Sequence, residues 1–303
     1  MKTKQTIPQI IRHVTLVGVA VNIVLTVVKI VVGYTGHSDA LVADGIHSLS
    51  DFASDLIVLL FVAQAYKSVD ENHPYGHGKF ETFASLLIAV ALIAVGIALA
   101  AGGITSIIGM ANGMHLPVPS IWTMLVAVLS IASKEWLFHY TRRAARRLKS
   151  SSLEANAWHH RTDAMSSIAT LAGVSAGIIF GQRWCILDPI ATIAIAVLIV
   201  LSALKIATPS INELLEKSPG RSDMEAIDQS IRMVDGVKDF DHLRARHNGN
   251  RLIVDVHIKV DGNLTVVQAH RIATAVEESL KKCFGASTIS NVHIEPYTGN
   301  QLK

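Results

Sequence analysis

Six stretches of this chain are long and apolar enough to cross a bilayer, and that property limits what the polypeptide can become. Val14–Tyr34, Asp39–Tyr66, Phe80–Met110, Val118–Tyr140, Leu153–Phe180 and Leu187–Thr208 each reach the roughly 20 residues that span hydrocarbon. Lipid offers the backbone no hydrogen-bond partners, so each stretch is expected to be a helix that satisfies its own polar groups. Short linkers separate them at His37–Ser38, Val69–Lys79, Ala111–Pro117, Thr141–Ser152 and Gly181–Ile186, and Pro209, Pro219 and Gly220 mark the predicted exit from the membrane. Charge is shared unequally: residues 1–208 hold 15 Lys and Arg and 11 Asp and Glu, while the shorter 209–303 holds 12 and 13. A six-helix transmembrane domain over 1–208 and a cytoplasmic domain over 209–303 follow. This composition excludes a fully soluble enzyme and a disordered chain. The net charge of +3 is too small and dispersed for nucleic acid, and Cys185 and Cys283 form no redox pair or disulfide framework. The basic start runs straight into the first span, so no cleavable signal peptide is expected.

Orientation follows from the linkers. Lys2, Lys4 and Arg12 precede the first span, Lys67 and Lys79 flank the second linker, and Arg142, Arg143, Arg146, Arg147 and Lys149 fill the fourth. The alternate linkers hold only Arg183. Positive loops stay in the cytoplasm, so both termini are expected there. Lipid-headgroup recognition is a second reading of the arginines.

The tail reads α-β-β-α-β, an α+β sandwich of ferredoxin-like type. Asp223–Val234 is an amphipathic helix with Ser222 and Glu225 at capping-box spacing. Val237–Asn248 and Leu252–Val260 form a hairpin across Gly249-Asn250, Leu264–Phe284 is a second helix, and Ile289–Glu295 a last strand. Alternation puts Leu252, Val254, Val256, Ile258 and Val260 on a core face and His257 on the other; Val292 and Ile294 face in, while His293 and Glu295 face out.

Ionisable groups inside the apolar spans need a partner or a function. Asp44, His47, Asp51 and Asp55 fall on one face of the second span, and His159 and Asp163 stand one turn apart in the fifth. Together His47, Asp51, His159 and Asp163 offer two imidazoles and two carboxylates, a set suited to tetrahedral Zn²⁺. Interhelical hydrogen bonding is the plainer alternative, and Asp44 and Asp55 are expected beside the site or in its vestibule. The two segments also align: Asp39–Asp55 against Ser151–Ser167 pairs Leu41 with Leu153, His47 with His159, Asp51 with Asp163 and Ser54 with Ser166. With three helices per half this is an inverted repeat, the architecture of carriers that alternate access around a central site. In the second linker Asp70, His73 and His77 can converge if Gly76 and Gly78 let the loop turn tightly.

The motifs Asp44-Gly-Ile-His47-Ser-Leu-Ser-Asp51, His73-Pro-Tyr-Gly-His77-Gly-Lys79-Phe-Glu81, His159-His-Arg-Thr-Asp163 and His293-Ile-Glu295-Pro296 resemble those of the cation diffusion facilitators, over essentially the whole chain. The resemblance implies a homodimeric efflux carrier that exchanges a divalent metal for protons across a lipid bilayer, here expected to be a bacterial inner membrane. It implies no enzymatic activity and no nucleic-acid partner. By the resemblance His47, Asp51, His159 and Asp163 are the transport site, and Asp70, His73 and His77 a loop site. His257, His270, His293 and Glu295 are a cytoplasmic site, with Asp241, followed by His242, where some relatives have histidine. Lys79 and Glu216 match a charge pair locking the subunits. Zn²⁺ is the expected substrate and regulatory ligand, with Fe²⁺, Mn²⁺, Cd²⁺ and Co²⁺ as alternatives. An intramembrane metal hydrolase would need an open coordination position and a general base, and a membrane-anchored metal sensor would have no use for paired intramembrane sites.

Overall fold

The computed structural model describes residues 7–50, 52, 70–148, 151–249 and 251–299. Helix α1 is Ile7–Thr35, α2 is the helix over 39–50, α3 is Lys79–Ala111, α4 is Ile121–Leu148, α5 is Ser151–Phe180, and α6 is Leu187–Leu214. A short 3₁₀ helix, Gln182–Ile186, joins α5 to α6. Five of the described helices are long and apolar enough to cross a membrane. The remaining expected span, Asp39–Tyr66, begins with α2, but Asp51, Asp55 and nearly all that follows lie outside the described residues, as do Lys2, Lys4, Lys67, Lys149 and Asn250.

Two boundaries differ from the sequence reading. The stretch Thr141–Ser152 is not a linker over most of its length: α4 carries Arg142, Arg143, Arg146 and Arg147 within its last turns. Arg and Ala are strong helix formers, and cations are favoured at a helix C-terminus. Hydropathy marks where lipid ends, not where the helix does. Likewise α6 does not stop at Thr208 but runs through Pro209 to Leu214, although a proline there loses one backbone bond and crowds the carbonyl four residues earlier, at about 3 kcal/mol.

The chain divides into two compact units. The first holds α1, α2, α4, α5 and most of α3 and α6. Here α4 packs along both α5 and α1, with Val14, Ala145 and Leu153 buried together. Ala43 meets Ile195 and Ile199 of α6 and Leu92 and Leu99 of α3. The start of α2 is closed by polar groups. Ser38 Oγ accepts from the Leu41 N–H (3.1 Å), while Asp188 accepts from Ser38 Oγ (2.6 Å) and from the N–H groups of Asp39 (2.9 Å) and Ala40 (3.2 Å). An acidic group there satisfies otherwise unpaired donors and complements the helix dipole.

Deeper in this unit two lysines stand among apolar residues. Lys29 of α1 is fully buried, and its Nζ lies 2.8 Å from Asp44 Oδ2. It also donates to Ser48 Oγ (3.3 Å) and Ser167 Oγ (3.1 Å). Asp44 in turn accepts from Ser166 Oγ (2.9 Å) and Ser167 Oγ (2.8 Å). The pair is therefore closed on itself, and Asp44 is a structural anion rather than a vestibule group.

The second unit holds the loop from Asp70, the first turns of α3, the last turns of α6 and the tail. The tail has α7 (Arg221–Arg232), β1 (Asp239–Asn248), β2 (Arg251–Val260), α8 (Val266–Phe284) and β3 (Ile289–Pro296). Strand β2 is central, antiparallel to β1 and parallel to β3. Leu252, Val254, Val256, Ile258 and Val260 join Ile227, Ile231, Ala273, Val276 and Leu280 in one core, with Val292 and Ile294 packed against it. The alternation read from the sequence is thus the core face, covered by α7 and α8. The cap of α7 is Gly220, without a side-chain bond, rather than Ser222; Glu225 pairs instead with Arg221 at 2.8 Å. The capping box belongs to α8, where Thr265 and Gln268 bond reciprocally.

Lys29→Met leaves Asp44 buried without its cation, which costs about 3–5 kcal/mol. We expect a large fall in the detergent-solubilised melting temperature, followed by tryptophan fluorescence. Lys29→Met combined with Asp44→Leu removes both charges and recovers most of the loss.

Candidate metal sites

Of the expected transport ligands, three lie among the described residues. His159 and Asp163 stand one turn apart on α5, with His159 Nδ1 3.7 Å from Asp163 Oδ1. His47 on α2 is half-buried, and its Nδ1 is buried with no hydrogen-bond partner among the described residues. Asp51 lies outside them. His159 and Asp163 border a cavity of about 70 Å³, together with Asn22, Ser48, Lys134 and Asn156. Lys134 of α4, 1% exposed, holds Asp163 Oδ2 at 2.8 Å. The sequence reading passed over Lys134 and Lys29, although the rule that flagged the acids applies equally to them. Neither belongs to a repeated spacing of ionisable groups such as the one that marks the His and Asp pairs.

The loop residues do converge. Asp70 Oδ1 accepts from the N–H groups of Asn72 (3.1 Å) and His73 (2.8 Å), folding the chain back on itself. His73 Nδ1 is then 3.3 Å from Asp70 Oδ1 and His77 Nε2 3.3 Å from Asp70 Oδ2. One ligand atom from each lies within 4.8 Å of the others. His77 is buried, and its Nδ1 has no hydrogen-bond partner among the described residues. Gly76 has φ 86°, a region that favours glycine. At Gly78 a β-carbon would collide with the Asn248 carbonyl, so the loop rests directly on the end of the β1–β2 hairpin. Asn248 Nδ2 donates to the Tyr75 carbonyl at 3.0 Å.

Lys79 Nζ meets Glu216 Oε1 at 2.8 Å within the one chain. The pair therefore ties the start of α3 to the end of α6 in a single subunit. Glu216 sits at φ 56°, a left-handed conformation costing a non-glycine residue roughly 1–2 kcal/mol. The hydrogen bond from Lys79, with its charge and the nearby Arg246, holds the Glu216 carboxyl below the usual range.

On the outer face of the tail sheet the register sets the ligands side by side. His257 of β2 lies opposite Asp241 of β1 and His293 of β3. His257 Nδ1 is 3.0 Å from Glu295 Oε1, and His293 Nε2 is 3.9 Å from the same oxygen. A bulge between Asp241 and Arg244 adds a residue that strand alternation does not anticipate. It leaves His242 at φ 50°, its ring stacked on His257 at 4.7 Å, while His257 meets His293 at 4.6 Å. Asp241, His242 and His257 form one compact group and His257, His293 and Glu295 another, sharing His257. His270 is not in either group: it is exposed on α8, a helix that packs on the opposite, core face.

Asp241 also binds Lys259 at 2.6 Å. The hydrogen bond from His242 and then that from Lys259 draw its carboxyl down to about 2. The folded value lies below the roughly 3.9 of an unfolded chain, so ionised Asp241 favours the folded tail above pH 4. That contribution fades as pH falls through about 2. Carboxyl NMR titration should find Asp241 ionised until near that pH, and His242→Ala and Lys259→Met should each raise its midpoint.

Comparison with known proteins assigns the family. Residues 15–215 match the cation efflux transmembrane domain and residues 219–297 the cation efflux protein cytoplasmic domain. The chain is 32% identical over 293 residues to the manganese efflux system protein MneP of Bacillus subtilis, covering 95% of this chain and 97% of that one. It is 36% identical over 291 residues to metal tolerance protein C1 of Arabidopsis thaliana, covering 92% of this chain but 61% of that longer protein. Among solved structures the C-terminal domain of MamM is 31% identical, with a TM-score of 0.24, covering 25% of this chain and 96% of that one. The chain belongs to the cation diffusion facilitator family, and is an integral membrane transporter that exports divalent metal cations, not an enzyme.

Proposed function

We propose that the protein is a Zn²⁺/H⁺ antiporter working by alternating access, with His47, Asp51, His159 and Asp163 as its transport ligands. The observation that carries this reading is the juxtaposition of His159 and Asp163 beside a small polar cavity in an apolar helix. Two imidazoles and two carboxylates satisfy a tetrahedral borderline-soft ion without a bound water. Metal binding requires neutral imidazoles, so protons and metal compete for the same nitrogens. A more acidic far side reprotonates them and releases the metal, because histidine titrates near physiological pH.

Both termini are cytoplasmic in this reading, as the Lys and Arg distribution requires. The loop group Asp70, His73 and His77 and the tail group Asp241, His242, His257, His293 and Glu295 bind cytoplasmic metal and bring two tails together as a homodimer. Their compactness supports this: the loop triad and each of the two tail triads that share His257 supply nitrogens and carboxylate oxygens within the span of one ion. Manganese is the second reading, favoured by the name of the MneP relative, although an imidazole-bearing set leans toward zinc over manganese.

The test is uptake into proteoliposomes across Zn²⁺, Cd²⁺, Co²⁺, Fe²⁺ and Mn²⁺, with internal pH followed by a dye. Zn²⁺ should give the highest ratio of maximal rate to half-saturating concentration, with protons moving the opposite way. Asp163→Asn should abolish transport while the protein still inserts. A preference for Mn²⁺ would establish the second reading, and metal flux without proton movement would remove antiport.

A further inference from the structure

We propose that Lys134 is a tethered cation that competes with the transported metal for Asp163, so that the site admits divalent ions and rejects monovalent ones. The proposal rests on the transport-site reading above. The two buried lysine–aspartate pairs of the membrane unit are built differently. Lys29 and Asp44 are enclosed by Ser48, Ser166 and Ser167, all within hydrogen-bond distance. Lys134 and Asp163 instead line open space: both border the cavity of about 70 Å³, alongside His159. At about 30 Å³ per water, that volume is of the order of an ion with a water or two. The buried Asn22 Oδ1 has no hydrogen-bond partner among the described residues, and Asn22 borders the same cavity. The ammonium takes Asp163 Oδ2 at 2.8 Å, while Oδ1 faces the His159 ring at 3.7 Å. A metal using both Asp163 and His159 therefore arrives beside a cation already seated on the carboxylate.

Coulomb energy scales with charge over distance. A divalent ion at about 2.1 Å from the oxygen attracts it about 2.7 times as strongly as an ammonium at 2.8 Å. A monovalent ion gains only from its shorter distance, attracting the oxygen about 1.3 times as strongly as the ammonium does, so it displaces the ammonium poorly. The exchange therefore favours double charge. Ser130, one turn earlier on α4, is 3.0 Å from Ser167 of α5, which sits 3.1 Å from the Lys29 ammonium, so like charge opposes a deeper retreat of the displaced ammonium. Return of the ammonium to Asp163 helps expel the metal, so affinity is given up for faster release.

Full-length protein in proteoliposomes tests this with Lys134→Met and Lys134→Arg. In Lys134→Met the half-saturating Zn²⁺ concentration should fall about tenfold, the scale of one lost charged hydrogen bond. Its maximal rate should drop, and Na⁺ should inhibit this variant but not the wild type. Lys134→Arg keeps the charge and should resist Na⁺, but with a raised half-saturating concentration, because guanidinium can hold both carboxylate oxygens. Wild-type half-saturation and no Na⁺ inhibition in Lys134→Met would overturn the proposal. If that variant fails to insert, unchanged half-saturation in Lys134→Arg would overturn it equally. Asp163→Asn separates the two levels. Normal transport by that variant sinks the transport site itself; lost transport beside an unshifted Lys134→Met sinks only the tethered cation.

Discussion

A charge taken out of water must meet an opposite charge, and the membrane unit is organised by that requirement. Lys29 and Lys134 are at most 1% exposed, and each is held at 2.8 Å by an aspartate on another helix. Desolvation of each ion costs several kcal/mol, which only close pairing and further hydrogen bonds offset. Serines supply those bonds around Lys29 and Asp44, binding α1, α2, α4 and α5 into one polar seam. Charge in the seam is balanced among the described side chains, each lysine being matched by one aspartate.

The second unit solves a different problem, that of placing ligands near water. Strand pairing does most of it. His257 meets Asp241 on one side and His293 on the other because the register of β1, β2 and β3 aligns them. The bulge then turns His242 onto the same face. In the loop, Asp70 arranges two histidines through its own bonds to backbone N–H groups, and Gly78 lets the loop lie against the hairpin. Each triad keeps one potential ligand atom per residue within 4.8 Å of the others, with His77 buried in the loop and the tail residues partly exposed.

Much of this was legible in the sequence because hydrophobic periodicity and length report burial directly. Five of the membrane spans, the tail order and the core face of β2 are of that kind. Helix ends were not, because the arginines of α4 and Pro209 of α6 mark where lipid stops while the backbone ladder continues. His159 with Asp163 and the loop triad were readable from spacing alone. Lys29 and Lys134 were not singled out, since each finds its partner only in three dimensions. His242 depended on a bulge that alternation cannot foresee, and His270, expected in the tail site, falls on α8 away from it.

The order of the lysines along the chain bears on how the protein reaches its membrane. Lys29 on α1 finds its acid on α2, and Lys134 on α4 finds its own on α5. Each charge thus waits for the next helix to emerge from the ribosome. A charge in the hydrocarbon raises the cost of inserting a helix, by roughly 3 kcal/mol at the centre and less towards the ends, and the helix that follows carries the partner that lowers it. Partition as hairpins, α1 with α2 and α4 with α5, removes that cost at each step. Biogenesis is thereby tied to the same bonds that later hold the folded carrier together.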